Sequence, residues 1–220
     1  MHLIHKLFIM TFENFRNIPF RLSNLDAIYP ACKDMAHKAT RLENNGTIIR
    51  LKKGMYVAST LASRANISEY LIANHLHGPS YISMHTALRY YSLIPEAVQE
   101  TISITAGHAK KFTNFLGTFR YIHAQSPYYS IGVTSATEED TNFLIATKEK
   151  ALCDLLVFTP NLNLRYKGEL TDYIENNLRF DMDEFKSMDV EIIKKCALCS
   201  RKKNMLNNLA EIISSYGRNF

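Results

Sequence analysis

The chain has 220 residues, 46% hydrophobic and 21% charged, the balance of a folded globular protein with room for one small and one medium-sized domain. No stretch approaches the ~20 uninterrupted apolar residues of a membrane-spanning helix, so no membrane role is expected. Four scattered cysteines (Cys32, Cys153, Cys196 and Cys199) do not form a secreted disulfide framework, and a reducing cytoplasm is the expected setting.

Taken in order, the chain opens on MHLIHKLFIM. Lys6 interrupts this apolar run and no small-residue cleavage site follows it, so Leu3 to Phe15 predicts a folded helix, not a signal peptide. Leu22 to Ile28 predicts a second short helix, with Ser23 as N-cap and Pro30 as its stop. Cys32 to Glu43 predicts the next, because Met35, Ala39 and Leu42 recur at helical spacing and would face a core. Asn44-Asn45-Gly46 supplies a left-handed end cap. Thr47 to Leu51 and Met55 to Val57 have strand composition, joined by Lys52-Lys53-Gly54 as a tight turn.

Helix, turn, helix and basic hairpin is the order of a winged helix-turn-helix. The second helix of such a unit enters the major groove, and the hairpin lies on the phosphate backbone. On that reading Lys33, His37, Lys38 and Arg41 are the candidate base readers, while Arg50, Lys52 and Lys53 are candidate phosphate contacts. A three-helix domain with a solvated basic edge fits the periodicity as well. Charge favours the DNA reader. Residues 1–60 hold nine Lys and Arg against four Asp and Glu; subtracting these from totals of 26 and 21 leaves seventeen of each in residues 61–220. The whole excess of +5 therefore lies in the candidate DNA reader.

Ala58 to Asn66, small and polar, is the candidate linker between a winged-helix domain of residues 1–60 and an α/β domain of residues 61–220. Ile67 to Leu76 predicts a helix, with Ser68 near its start and Gly78-Pro79 after it. Ser80 to Ile82 is a short strand or turn, and Ser83 is placed to cap a helix from Met84 to Tyr91. Strands follow at Val98 to Thr105 and Gly117 to His123, with a hairpin of Tyr129 to Thr134 and Asn142 to Ala146. Thr147 caps a helix from Lys148 to Phe158. The remainder reads as helical: Gly168 to Leu178, Met182 to Met188, and Val190 to Tyr216. The fold class expected is α+β, a winged helix-turn-helix followed by a mixed α/β domain with a helical tail.

Other constellations carry less. His75, His77 and His85 lack an acidic or Cys partner, and Cys196-x-x-Cys199 has no second pair, so no metal or cofactor is expected. A metal-dependent nuclease needs an acidic-x-Lys pair that is missing around Lys148 and Glu149, and no catalytic residues are assigned. Lys150 and Asp154 stand one helical turn apart, which suggests a surface ion pair. The tyrosines are spread over core-building elements. Arg201-Lys202-Lys203 reads as a solvated face or an added phosphate contact.

Several phrases carry a resemblance. YISMHTALRYYSLIPE (Tyr81 to Glu96), TISIT, GTFRYIHA (Gly117 to Ala124) and ATKEKALCDLL (Ala146 to Leu156) resemble the AbiEi-type antitoxin family of type IV toxin–antitoxin systems. RLKKGMYV, with Arg50, Gly54 and Tyr56, looks like the wing of the same family. The likeness spans roughly Phe20 to Phe158. It implies a non-enzymatic transcriptional repressor that binds double-stranded DNA at repeats in its own promoter. The resemblance also implies that the C-terminal domain counteracts a nucleotidyltransferase-like toxin, without a required direct contact. Two alternatives are a winged-helix regulator whose second domain senses a ligand or dimerises, and a nucleic-acid-modifying enzyme targeted by the winged helix. The charge tally further suggests that the two halves are separable.

Overall fold

The computed structural model describes residues 11–96 and 99–216, so most of the helix expected from Leu3, and Val98 of the first predicted strand, lie outside the described residues. Mixed α and β elements are followed by a helical C-terminal region. The first described helix is one turn, α1 (Phe12–Phe15).

Phe20–Arg21 forms β1, and Leu22–Ala27 is a 3-10 turn where an α-helix was expected. The reason is local. In the run Ser-Asn-Leu-Asp, short polar side chains compete for backbone donors. Asn24 Oδ1 accepts the Arg21 N–H at 2.8 Å, while Ser23 is exposed and does not cap. The following helix, α2 (Met35–Asn44), starts at Asp34, whose carboxylate accepts the His37 N–H at 2.9 Å. That cap moves the start three residues beyond the expected Cys32. The helix ends as read, with Gly46 at φ 73°.

β2 (Ile48–Lys52) and β3 (Met55–Ala58) pair antiparallel, with Gly54 at φ 72° in the turn between them. β1 pairs with the other side of β3, completing a three-stranded sheet in the order β1-β3-β2. The expected linker contains a helical turn, α3 (Thr60–Ser63), capped by Ser59.

The larger part begins with α4 (Glu69–Leu76), where Ser68 Oγ accepts the Leu71 N–H. β4 (Ser80–Ile82), α5 (Met84–Tyr90), β5 (Glu100–Thr105), β6 (Lys110–Asn114) and β7 (Gly117–His123) follow. The predicted hairpin forms from β8 (Val133–Glu138) and β9 (Thr141–Ala146), its first strand displaced because Tyr128–Ser130 coils into a 3-10 turn. α6 (Lys148–Phe158) has the predicted bounds, with Thr147 Oγ1 accepting the Lys150 N–H. These strands make a six-stranded mixed sheet, ordered β6-β7-β5-β4-β9-β8.

Beyond it lie α7 (Lys167–Asp172), a wider π-type turn over Tyr173–Asn177, α8 (Met182–Lys186), α9 (Val190–Leu198) and α10 (Lys203–Tyr216). The continuous helix expected over Val190 to Tyr216 is broken at Cys199–Lys202. There Ser200 Oγ accepts the Lys202 N–H at 3.0 Å. The Lys202 ammonium turns inward and donates to the Leu156 and Leu162 carbonyls, at 2.9 and 2.8 Å, near the end of α6. A cation at orphaned helical carbonyls is favourable both as donor and as charge.

Two apolar clusters form. The smaller gathers Phe20, Leu25, Ala39, Leu42, Ile48, Tyr56 and Ala58, with the Phe15 and Phe20 rings stacked at 4.6 Å. The larger joins the six-stranded sheet to α4, α5, α6 and the C-terminal helices. Strand alternation divides the β2–β3 hairpin between them. Tyr56 and Ala58 point into the small cluster, whereas Leu51 and Val57 are buried in the large one.

Candidate nucleic-acid interface

On α2, Ala39 and Leu42 are buried and Met35 is partly so. The 3.6-residue period then leaves His37, Thr40, Arg41 and Asn44 exposed, spaced i, i+3, i+4 and i+7 along the opposite face. Two of these, His37 and Arg41, were sequence candidates. Thr40 and Asn44 were not, although their spacing from His37 would have found them. Thr40 is exposed, and its Oγ1 donates to the Ala36 carbonyl at 3.1 Å.

The other candidates divide. Lys33 precedes the Asp34 cap and is exposed; Lys38 lies on the flank of α2 with its ammonium 3.9 Å from the centre of the Tyr29 ring. Arg50 forms an ion pair with Glu43 and sits over the Tyr56 ring at 5.6 Å. Lys53 is exposed at the hairpin turn. Lys52 is half-buried, and its ammonium donates to the Leu76 carbonyl at the end of α4. Burial, followed by the positive charges of Lys110 and Arg21, lowers the Lys52 pKa from its ordinary value. The seven candidates thus comprise exposed side chains at Lys33, His37, Arg41 and Lys53, and engaged ones at Lys38, Arg50 and Lys52.

The hairpin is seated on the larger sheet. Asn114 Nδ2 donates to the Leu51 carbonyl at 3.1 Å, and the Lys52 ammonium lies 5.5 Å from the Phe112 ring centre. At the other side of the N-terminal part, Arg16 pairs with Asp140 at 2.9 Å and Asn66 Nδ2 donates to the Glu139 carboxylate.

A second concentration of chemistry lies in the interior. Lys150 and Asp154 are not a surface pair: both side chains are 0% exposed, with Nζ 3.1 Å from Oδ1. Lys150 Nζ also donates to the Tyr128 carbonyl at 2.8 Å and stands 3.3 Å above the Tyr128 ring centre. Asp154 Oδ2 accepts from Ser83 Oγ at 2.6 Å and from the Tyr81 hydroxyl at 3.1 Å. Burial and the Asp154 charge push the Tyr81 phenol far above its ordinary range. Burial does the same to the neighbouring Cys153 thiol, which leaves it a poor nucleophile. This centre ties β4, α5 and the Tyr128 turn to α6.

Among the described residues, no group of three or more His, Cys, Asp or Glu side chains is arranged to hold a metal ion. His77 Nε2 donates to the His108 carbonyl at 2.9 Å, and His85 is half-buried on α5. No helix among the described residues is long and apolar enough to cross a membrane. No family model matches this chain, and no curated protein matches it.

Proposed function

We propose that residues 1–60 form a winged helix-turn-helix that binds double-stranded DNA, and that the chain represses transcription from repeats in its own promoter. One observation carries this reading: the entire +5 net charge lies in residues 1–60, where the outward face of α2 carries His37 and Arg41. Long-range attraction of phosphate supplies most non-specific affinity, and Arg and Lys are the usual readers of guanine edges. His37, Thr40, Arg41 and Asn44 face the bases, while the exposed Lys33 and Lys53 flank them at the backbone.

The likeness of Tyr81 to Glu96 and Ala146 to Leu156 to the AbiEi-type phrases extends the proposal. Residues 61–220 act as the antitoxin part, opposing a nucleotidyltransferase-like toxin encoded alongside. An adjacent reading frame of that type, and rescue of cells expressing it, would distinguish this role from a plain regulator.

DNA binding is tested by titrating the protein into its own promoter duplex and into a scrambled duplex. Specific binding typically exceeds non-specific binding by about 10³-fold or more. Arg41→Ala is expected to weaken the promoter complex by about 1–3 kcal/mol, and the scrambled complex by less. Equal affinity of the unmodified chain for both duplexes would overturn promoter recognition.

A further inference from the structure

We propose that the phosphate-binding surface crosses from the hairpin onto the six-stranded sheet, with Lys110 of β6 contacting the duplex backbone beside Lys52. This rests on the DNA-binding reading and adds a residue from outside the +5 segment.

β6 is an edge strand, and its alternation sorts its side chains. Lys110, Phe112 and Asn114 share the face that meets the hairpin. Asn114 holds the Leu51 carbonyl, and the Phe112 ring receives two ammonium groups, Lys52 at 5.5 Å and Lys110 at 5.3 Å from its centre. Lys111, on the opposite face, is paired with Glu100, as is Arg120. The adjacent lysines therefore differ in kind. Lys111 is neutralised within the fold.

Lys110, Lys52 and Arg21 form no ion pair among the described residues. Like charges gathered without a counterion oppose folding, and a polyanion laid across them relieves that opposition. The seam also fixes their positions. The Asn114–Leu51 hydrogen bond holds the hairpin against β6 and the Lys52–Leu76 bond holds it against the end of α4, so little ordering accompanies binding. Duplex DNA matches this arrangement because its charges run in continuous rows that span both elements.

The test uses the full chain and a random-sequence duplex of about thirty base pairs, with affinity followed between about 50 and 200 mM salt. Lys110→Ala is expected to reduce the steepness of log K against log salt by about 0.9, one phosphate contact, and Lys110→Glu to reduce affinity further. Lys111→Ala should leave the slope unchanged. Lys110 is exposed, so both variants should melt like the unmodified protein. Should Lys110→Ala keep the original slope and affinity, or Lys111→Ala lose as much, the Lys110 contact is overturned while DNA binding stands. Failure of the unmodified chain to bind any duplex overturns the underlying reading and the contact together.

Discussion

At the scale of single residues, Lys150 and Asp154 show how little an i, i+4 spacing says about environment. The spacing fixes that the two side chains share a helix face, not what that face meets. The fuller signal was in the flanks. Ala151, Leu152, Cys153, Leu155 and Leu156 leave no polar face around the pair, and residues 150–156 are all buried. A charge pair set in such a run belongs to the interior. Removing one partner of a buried pair strands the other, whereas replacing both by apolar groups is often tolerated. Lys150→Met should therefore destabilise the protein by about 3–5 kcal/mol, and adding Asp154→Leu should restore much of that loss. Chemical denaturation of the two variants tests this; a double variant no more stable than Lys150→Met would mean that the charges themselves hold β4 to α6.

At the scale of elements, legibility followed locality. Ser68 and Thr147 announced their helices because an N-cap is a contact between near neighbours. β6 was missed because KKFTN presents only Phe112 and Asn114 inward, and an edge strand needs no apolar alternation on its open side. The α9–α10 break was missed because neither Gly nor Pro marks it; at the break Lys202 reaches carbonyls distant in sequence, Leu156 of α6 and Leu162 beyond it. The outward face of α2 was half legible, since its start depended on whether Asp34 or an earlier residue made the cap.

His85 on α5 illustrates an effect of element packing that sequence alone does not reveal. Burial lowers its pKa, with Glu96 opposing and Arg120 reinforcing the shift. A histidine so lowered holds fewer protons when folded than when unfolded. Its contribution is full above the unfolded value near ~6.5 and is lost as pH falls through that value toward the folded pKa. Urea midpoints measured from neutral to mildly acidic pH should fall, and His85→Gln should flatten that part of the curve. An unchanged slope would place the titration elsewhere.

At the scale of the whole molecule, composition divides the chain at residue 60 but packing does not. The +5 segment and the balanced remainder are distinct in charge, and each has its own apolar cluster. Yet Leu51 and Val57, from the basic hairpin, are 2% and 0% exposed inside the larger cluster. A cut at residue 60 would remove both from that core. The hairpin thus serves two structures, one face for each. Sequence patterning shows that a strand has two buried faces; it does not show that they belong to different cores. Leu51→Ala should cost about 2–5 kcal/mol, as other large-to-small core substitutions do. Because the seam is shared, that loss should lower one unfolding transition common to both parts. Following the melt with one probe on the small cluster and another on α6 decides the matter. Coincident midpoints that shift together in Leu51→Ala are expected; two separate transitions, with only one moved, would restore the independent halves that the charge division suggests.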